Sequence, residues 1–256
     1  MKLGLEGRKV LVTGASQGIG VGLARAFAGE GCELFLVARS GDRLAALAGE
    51  LRAAHGVRVA TLPLDLTAPG ATDAVMHFAG DADVLVNNAG SIPGGDLWQV
   101  DEAAWRKGWE LKVFGYINVT RAMYAAMRER HAGVILNNIG NGGQNFDFNY
   151  IAGTTGNAAL MAFTCALGGR SLEDGIRVVG VNPGPVDTDR IRKVLRARTA
   201  GDPERYRELM AAYPLGRTAT VAEVADLFVY LASDRSRYTS GTIVTVDGGL
   251  TSRRSI

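Results

Sequence analysis

Apolar runs alternate with amphipathic segments along almost the whole chain. Segments such as RLAALAGELRAAHG space their apolar residues at helical intervals. Repeated alternation of strand and helix predicts an α/β fold of the Rossmann type, with a doubly wound parallel sheet and helices on both faces. The predicted strands are apolar throughout, as a sheet covered on both faces requires. They are KVLVTG, ELFLVA, RVATLPL, DVLVNN, GVILNN, RVVGVNP and TIVTVDG.

No linker or change in composition divides the chain, so we expect residues 1–256 to form a single domain. Its hydrophobic fraction of 47% is enough for a full core. The longest insertion, at about 187–216, follows the sixth predicted strand. This segment predicts one or two small helices that cover a substrate site.

The composition of the chain mainly argues against certain classes of partner and site. A formal net charge of +2 is too small to indicate a nucleic acid or an anionic membrane as partner. The first residues lack the apolar core of a signal peptide, and no apolar run has the length of a membrane span. Cys32 and Cys165 are predicted to be buried thiols, and His55, His77 and His131 lack metal-ligand spacing. These features favour a soluble cytoplasmic protein with a small-molecule substrate and no metal.

A glycine-rich turn follows the first predicted strand. The sequence TGASQGIG, at 13–20, places Gly14, Gly18 and Gly20 between VLV and the start of a helix. Such a turn brings backbone amides close to a pyrophosphate, and the helix N-terminus favours its negative charge. Because the strand, turn and helix occur together, the pattern predicts a dinucleotide site.

Several motifs in order make the chain similar to the short-chain dehydrogenase/reductase family. They are TGASQGIG, the acidic Asp65 after the third strand, NNAG at 87–90, NPGPVDT at 182–188 and the terminal VDGG. The likeness extends from about residue 5 to residue 250. It implies a seven-stranded sheet in the order 3-2-1-4-5-6-7, an NAD(H) or NADP(H) cofactor and often a homotetramer.

The resemblance also assigns the cofactor contacts. For Asn88 a second role stays open, because an asparagine at this position can instead join neighbouring strands. The implied contacts are Gly14, Ser16, Gln17, Ile19 and Gly20 at the pyrophosphate, Asp65 and Leu66 at the adenine, Asn88, Ala89 and Gly90 along the adenosine ribose, and Pro183, Gly184, Val186 and Thr188 at the nicotinamide.

The end of the second strand bears on the choice between the two cofactors. NAD(H) is usually selected by an acid that accepts from the ribose hydroxyls, and this position holds Ala38. Arg39 follows and can bind a 2′-phosphate through its planar guanidinium. We therefore expect NADP(H) to be preferred and NAD(H) to be possible. The alternative is that Arg39 is a solvated loop cation.

The catalytic residues that the family uses are all replaced. The family pattern has a tyrosine, a lysine four residues later, a serine thirteen before the tyrosine, and an asparagine on the preceding long helix. Counting back from NPGPVDT without a gap, these positions hold Gly153, Asn157 and Gly140, and the fourth holds Lys112. A register that keeps Tyr150 as the tyrosine needs three extra residues within a helix and would rotate its apolar face.

The replacements suggest relocated chemistry. Lysine and asparagine are exchanged between two helices expected to face each other, so Lys112 could replace the missing lysine, with Asn157 beside it. Tyr150 is the nearest phenol and could carry the proton. The alternatives are that Lys112 points to solvent and that Tyr150 only lines the cleft.

Three functions remain compatible with the sequence. The first is an NADP(H)-dependent oxidoreductase for a carbonyl or alcohol substrate, with Lys112, Tyr150 and Asn157 as catalytic residues. The second is a nucleotide-binding protein without redox turnover, and the third is a lyase or hydratase on the same fold. Helices over 101–130 and 152–172 carry small and apolar residues on more than one face, which favours a homotetramer or homodimer.

Overall fold

The computed structural model describes residues 2–253, and it confirms the predicted sheet. Each of the seven predicted runs forms a strand, and all neighbouring strands are parallel in the order β3-β2-β1-β4-β5-β6-β7. The strands are β1 (Lys9–Thr13), β2 (Glu33–Ala38), β3 (Val59–Pro63), β4 (Val84–Asn87), β5 (Gly133–Asn138), β6 (Ile176–Pro183) and β7 (Thr242–Val246).

Helices cover both faces of the sheet. The α-helices are α1 (Ile19–Gly29), α2 (Gly41–His55), α3 (Ala71–Ala79), α4 (Glu102–Trp109), α5 (Gly115–Arg130), α6 (Ile151–Gly168), α7 (Asp189–Arg198), α8 (Pro203–Ala211) and α9 (Val221–Ala232). Alternate strand residues point to opposite faces, so Val10 and Val12 pack under α1, α2 and α9, while Leu11 packs under α3 and α5. Helices α7 and α8 lie in the insertion at 187–216.

The topology places the candidate site at one edge of the sheet. All seven strands are parallel, so their carboxyl ends meet at this edge. The strand order reverses between β1 and β4, where the loops after Thr13 and Asn87 lie side by side. In open α/β sheets, ligands bind in the crevice outside the carboxyl ends of the strands, at such a reversal.

One predicted burial is wrong. Cys32 is buried and its thiol donates to the carbonyl of Leu5, so burial raises the pKa of Cys32 to about 12. Cys165, predicted to be buried, is exposed. It lies on α6 next to exposed Ala166, so the apolar run that contains both is only partly directed at the sheet.

The described part of the chain shows neither a membrane-spanning helix nor a cluster of metal-ligating side chains. Between residues 2 and 253, none of the helices combines the length and apolarity needed to cross a bilayer. In the same part of the chain, histidine, cysteine and carboxylate side chains nowhere form a cluster of three that could hold a metal ion.

Candidate active site

The glycine turn after β1 is packed too tightly for side chains. Gly14 has a φ of +68°, and a Cβ on it would lie 2.7 Å from the Cα of Ala89. A Cβ on Gly20 would lie 2.2 Å from the carbonyl oxygen of Gly14. Helix α1 begins immediately afterwards, and no side chain caps its N-terminus. The first N–H groups of α1 are therefore left free to meet an anion.

The side chain of Asn88 joins three strands. Its amide nitrogen donates to the carbonyl oxygens of Thr13 (3.0 Å) and Gly14 (3.1 Å), and its oxygen accepts from Asn138 (2.7 Å). All the hydrogen-bonding groups of this side chain are therefore used within the protein. The residues that follow, Ala89 and Gly90, form the wall of the crevice opposite the glycine turn.

Two arginines lie close to the glycine turn and to the end of β2. Arg39 is exposed after β2, and its charge contributes to the lowering of the pKa of Asp65, whose main cause is hydrogen bonding to Thr67. Arg43, on the first turn of α2, donates to the Oε1 of Gln17 over 3.2 Å. The sequence reasoning missed Arg43. The available signal was a second arginine four residues after Arg39. Since α2 begins at Gly41, Arg43 lies in the first turn of that helix, close to Arg39 in the chain.

The opposite end of the crevice is formed by the loop after β6. Pro183 ends that strand, and Gly184 lies so close to Asp247 that a Cβ on it would be 2.7 Å from the Asp247 Cβ. Val186 is buried, and Thr188 caps α7 by accepting from the backbone N–H of Ile191. The lid therefore starts directly at this edge of the crevice.

Lys112 enters the site from an irregular turn. It lies in a π-helical segment, Glu110–Phe114, between α4 and α5. Such turns are frequent at functional sites because they re-aim side chains within a helix. The Lys112 stem crosses Gly90, on which a Cβ would be 2.8 Å from the lysine Cδ. Its ammonium donates a short hydrogen bond to the carbonyl of Ile139, at the end of β5.

The amine of Lys112 has an unusual acidity for a lysine. Burial, aided by the charge of Arg190, lowers the pKa of Lys112 to about 7. The accessible surface of the whole residue is intermediate, whereas the amine lies among densely packed protein atoms. The direction of the pKa shift follows from this dense packing, since desolvation disfavours the charged form.

Asn157, at the position of the family lysine, is buried without a hydrogen-bond partner for its oxygen. The residue is 3% exposed, and its Oδ1 has no protein partner among residues 2–253. Its Nδ2 lies 3.2 Å from where a Cβ on Gly140 would be. The Asn157 amide thus faces the space that a serine side chain would occupy at position 140. A buried amide oxygen without a protein partner is uncommon in native proteins and leaves this oxygen available to a water molecule or a ligand.

Tyr150 occupies the space of the missing tyrosine side chain. It precedes α6 with a non-helical backbone (φ −139°, ψ 36°), and its ring folds back over Gly153. A Cβ on Gly153 would lie 2.0 Å from the Cζ of Tyr150. The other side of the ring faces Gly142, where a Cβ would be 3.6 Å away. Glycine at position 153 is therefore what admits the phenol of Tyr150.

The three predicted catalytic residues surround one loop, 139–143, after β5. Lys112 binds the carbonyl of Ile139, Asn157 faces Gly140, and Tyr150 contacts Gly142. Arg190 of α7 reaches the same region and donates to the carbonyl of Ile92. By its sequence the basic run RIRKVLRAR, at 190–198, could attract an anion or form a solvated helix face, because periodicity does not show which turn of a short helix bends over a cleft.

The fold and crevice define a dinucleotide-binding protein of the Rossmann class, and the comparisons specify the family. Residues 14–251 match the family model described as enoyl-(acyl carrier protein) reductase. The oxidoreductase UcpA of Salmonella typhimurium is 34% identical, with 98% of this chain and 97% of the relative aligned. The galactitol 2-dehydrogenase (L-tagatose-forming) of Cereibacter sphaeroides is also 34% identical, over 96% of both chains. The chain belongs to the short-chain dehydrogenase/reductase family and is an oxidoreductase of that type.

A solved structure agrees with this assignment. The L-sorbose reductase of Gluconobacter frateurii, complexed with NADPH and L-sorbose, superposes with a TM-score of 0.92 at 32% identity and covers 99% of this chain and 100% of its own.

Proposed function

We propose that the protein is an NADP(H)-dependent oxidoreductase that interconverts a carbonyl and an alcohol with a rebuilt catalytic site. One observation carries the proposal: the Lys112 ammonium, the Asn157 amide and the Tyr150 ring converge on the loop 139–143, next to a complete dinucleotide crevice. This arrangement replaces the family pattern with the same kinds of group, supplied from different positions.

The crevice fits a dinucleotide. Gly14 and Gly20 let the turn pack tightly against the backbone of Ala89 and of Gly14 itself, and α1 begins beside this turn with its N-terminus uncapped by any side chain. In this proposal Gly14, Ser16, Gln17, Ile19 and Gly20 hold the pyrophosphate, Asp65 and Leu66 flank the adenine, Ala89, Gly90 and the backbone of Asn88 line the ribose, and Pro183, Gly184, Val186 and Thr188 hold the nicotinamide. When bound, the cofactor supplies or accepts the hydride.

The chain itself supplies the proton transfer and the orientation of the substrate. An amine with a pKa of about 7 exists in both protonation states near neutrality, so Lys112 can donate a proton during reduction and accept one during oxidation. The ring of Tyr150 lies against Gly153, the position of the family tyrosine, and in this proposal its phenol carries the proton to or from the substrate. The Nδ2 of Asn157 faces the serine space and donates to the substrate oxygen.

The test is steady-state oxidation of NADPH with a panel of aldehydes and ketones, and reduction of NADP+ with the matching alcohols. Sustained turnover with at least one pair supports the proposal. Calorimetric binding of NADPH without any turnover across the panel would point to a nucleotide-binding protein. Conversion of an alcohol or enone without change in the cofactor would point to a lyase or hydratase.

Cofactor preference gives a separate prediction. We expect NADPH to bind more tightly than NADH, because Arg39 and Arg43 both lie near the adenosine end. The double variant Arg39→Gln/Arg43→Gln should lose about tenfold or more in NADPH affinity and little in NADH affinity, since hydrogen bonds to charged groups contribute about 1.5–3 kcal/mol. Ala38→Asp should also weaken NADPH by charge repulsion.

Calorimetric titration with both cofactors measures these affinities. Arg121→Gln, an exposed arginine on α5, is the matched control and should change neither of them. Equal or tighter binding of NADH by the unaltered protein would contradict the preference.

The oligomeric state gives another prediction. We propose a homotetramer, which is supported by apolar surface on the helices that sequence analysis selected. Phe114 is 47% exposed, and Ala162, Cys165 and Ala166 are exposed on α6. Ala166→Arg should therefore lower the particle mass in light scattering at micromolar concentration, because it places a charge in an apolar interface. Ala53→Arg, at an exposed position of α2, should leave the mass unchanged. A stable monomer for the unaltered protein would contradict the proposal.

A further inference from the structure

Two cationic side chains, Lys112 and Arg190, both contact the short segment 90–92. Lys112 comes from the π-helical segment and lies across Gly90, while Arg190 comes from α7 and binds the carbonyl of Ile92. Residues two apart have Cα atoms no more than about 7.6 Å from each other. We infer that the substrate carries a carboxylate, which Arg190 binds while the reacting carbonyl lies near Lys112 and Tyr150. This inference rests on the proposed function for the identity of the reacting group.

Arg190 has donors left for a ligand. Its Nη2 donates to Ile92 over 2.9 Å, and the structure gives no other hydrogen bond from its guanidinium within residues 2–253. The backbone carbonyl holds the group in place without neutralising it. The residue is exposed, so a ligand in the cleft can reach the remaining N–H groups. A guanidinium with a free edge matches the two oxygens of a carboxylate.

No carboxylate of the described chain balances these charges. Across residues 2–253, neither Lys112 nor Arg190 forms a salt bridge. The nearby acids of the lid, Asp187 and Asp189, both bind Arg192. Asp247 accepts from Asn141 and from the backbone N–H groups of Gly249 and Thr251.

The two positive charges also affect each other. The charge of Arg190 contributes to the low pKa of Lys112, so the guanidinium lies near enough to repel the ammonium. An anion between them would relieve this repulsion and would be favoured over a neutral ligand of the same shape. One guanidinium and one amine that is only partly protonated match a single negative charge. Because the two cations contact residues only two apart, the carboxylate is expected to be a few bonds from the carbonyl, as in a short oxo acid.

The test uses pairs of oxo acids and their methyl esters: 2-oxobutanoate, 3-oxobutanoate and 4-oxopentanoate. Turnover is followed by NADPH oxidation, and binding to the NADPH-saturated protein is followed by calorimetry. At least one acid should bind or react about tenfold better than its ester. Added salt should weaken the binding of the acid but not the binding of the ester. Arg190→Gln should remove this advantage through KM or Kd, so that the acid and its ester are bound and used alike.

Arg190→Lys, which keeps the charge, should retain part of the preference for the acid. Arg196→Gln, an exposed arginine on the same helix, should retain all of it. Equal use of acid and ester, equal loss of both in Arg190→Gln, or failure of every acid to bind would overturn the inference. Reduction of neutral ketones without any preference for acids would overturn it and leave the proposed function standing. Arg190-dependent binding of an acid without turnover would support the inference and count against the proposed function.

Discussion

Lys112→Met should lower kcat by about a hundredfold or more, since general acid–base groups typically contribute about 10²–10⁴ to the rate. Methionine keeps the length of the stem across Gly90 but cannot transfer a proton or bind the Ile139 carbonyl. Lys112→Ala should have a similar effect. The affinity for NADPH should change much less than kcat, because the glycine turn and the two adenosine-end arginines are unaltered. Lys193→Met, an exposed lysine of α7, is the matched control and should keep its activity.

The pH profile tests whether Lys112 itself titrates. With a pKa of about 7, the amine loses its proton as the pH rises through neutrality, so kcat/KM for carbonyl reduction should fall above about pH 7. For alcohol oxidation the proton acceptor is lost on acidification, so kcat/KM should fall below about pH 7. Lys112→Arg should remove both changes, because a guanidinium stays protonated throughout this range. A variant that retains both the rate and the pH dependence would show that another group transfers the proton.

A stability measurement distinguishes loss of chemistry from loss of folding. The pKa of Lys112 is lowered from 10.5 to about 7, so between these pH values the unfolded chain binds more protons than the folded chain. The free energy of unfolding contributed by this residue therefore rises with pH across that window, and the penalty of burying the charge is full below it. Lys112→Met should be more stable than the unaltered protein at pH 6, and the difference should shrink as the pH approaches 10.

Gly153→Ala is expected to inactivate the enzyme without unfolding it. The added methyl would lie 2.0 Å from the Cζ of Tyr150, so the ring must leave its place. Because Tyr150 is only partly buried, the ring can swing outward at little cost to the fold. We expect a fall in kcat of about a hundredfold or more, similar to the effect of Tyr150→Phe, which keeps the ring and removes the hydroxyl.

The double variant supplies the sharper test. If Gly153→Ala acts only by displacing the phenol, it should add little to Tyr150→Phe, since two changes to one group are not additive. Gly49→Ala, an open glycine in α2, is the control for a glycine-to-alanine change in a helix and should leave kcat unaltered. A near-normal rate for Tyr150→Phe would show that Tyr150 only lines the cleft and does not transfer the proton.

Much of the fold could be predicted from local pattern. The seven apolar runs became seven strands, because a segment covered on both faces must be apolar throughout and this property is visible in the sequence. The glycine turn was equally readable, since Gly14 and Gly20 stand where a side chain would collide with backbone. The order of the strands came from resemblance to a family, because periodicity does not say which strands are neighbours.

The candidate catalytic site was only partly predictable. The sequence showed that tyrosine, lysine, serine and asparagine are missing from their expected positions, and it selected Lys112, Tyr150 and Asn157 as replacements. If α6 extended back to Tyr150, the lean of helical side chains toward the N-terminus would aim its hydroxyl away from the usual place. In the structure α6 begins one residue after Tyr150, at Ile151. The non-helical backbone of Tyr150 can therefore turn its ring onto Gly153.

The sequence by itself determined the seven strands, the glycine turn and the identity of the exchanged residues, because these depend on residue type and on spacing along one element. Only the tertiary structure decided where the side chains meet. The π-helical turn aims Lys112 at Ile139, the missing Cβ of Gly153 admits Tyr150, and α7 brings Arg190 onto Ile92. The contacts of Lys112 and Arg190 join segments far apart in the chain, and all three depend on space left by other residues, which no local pattern records.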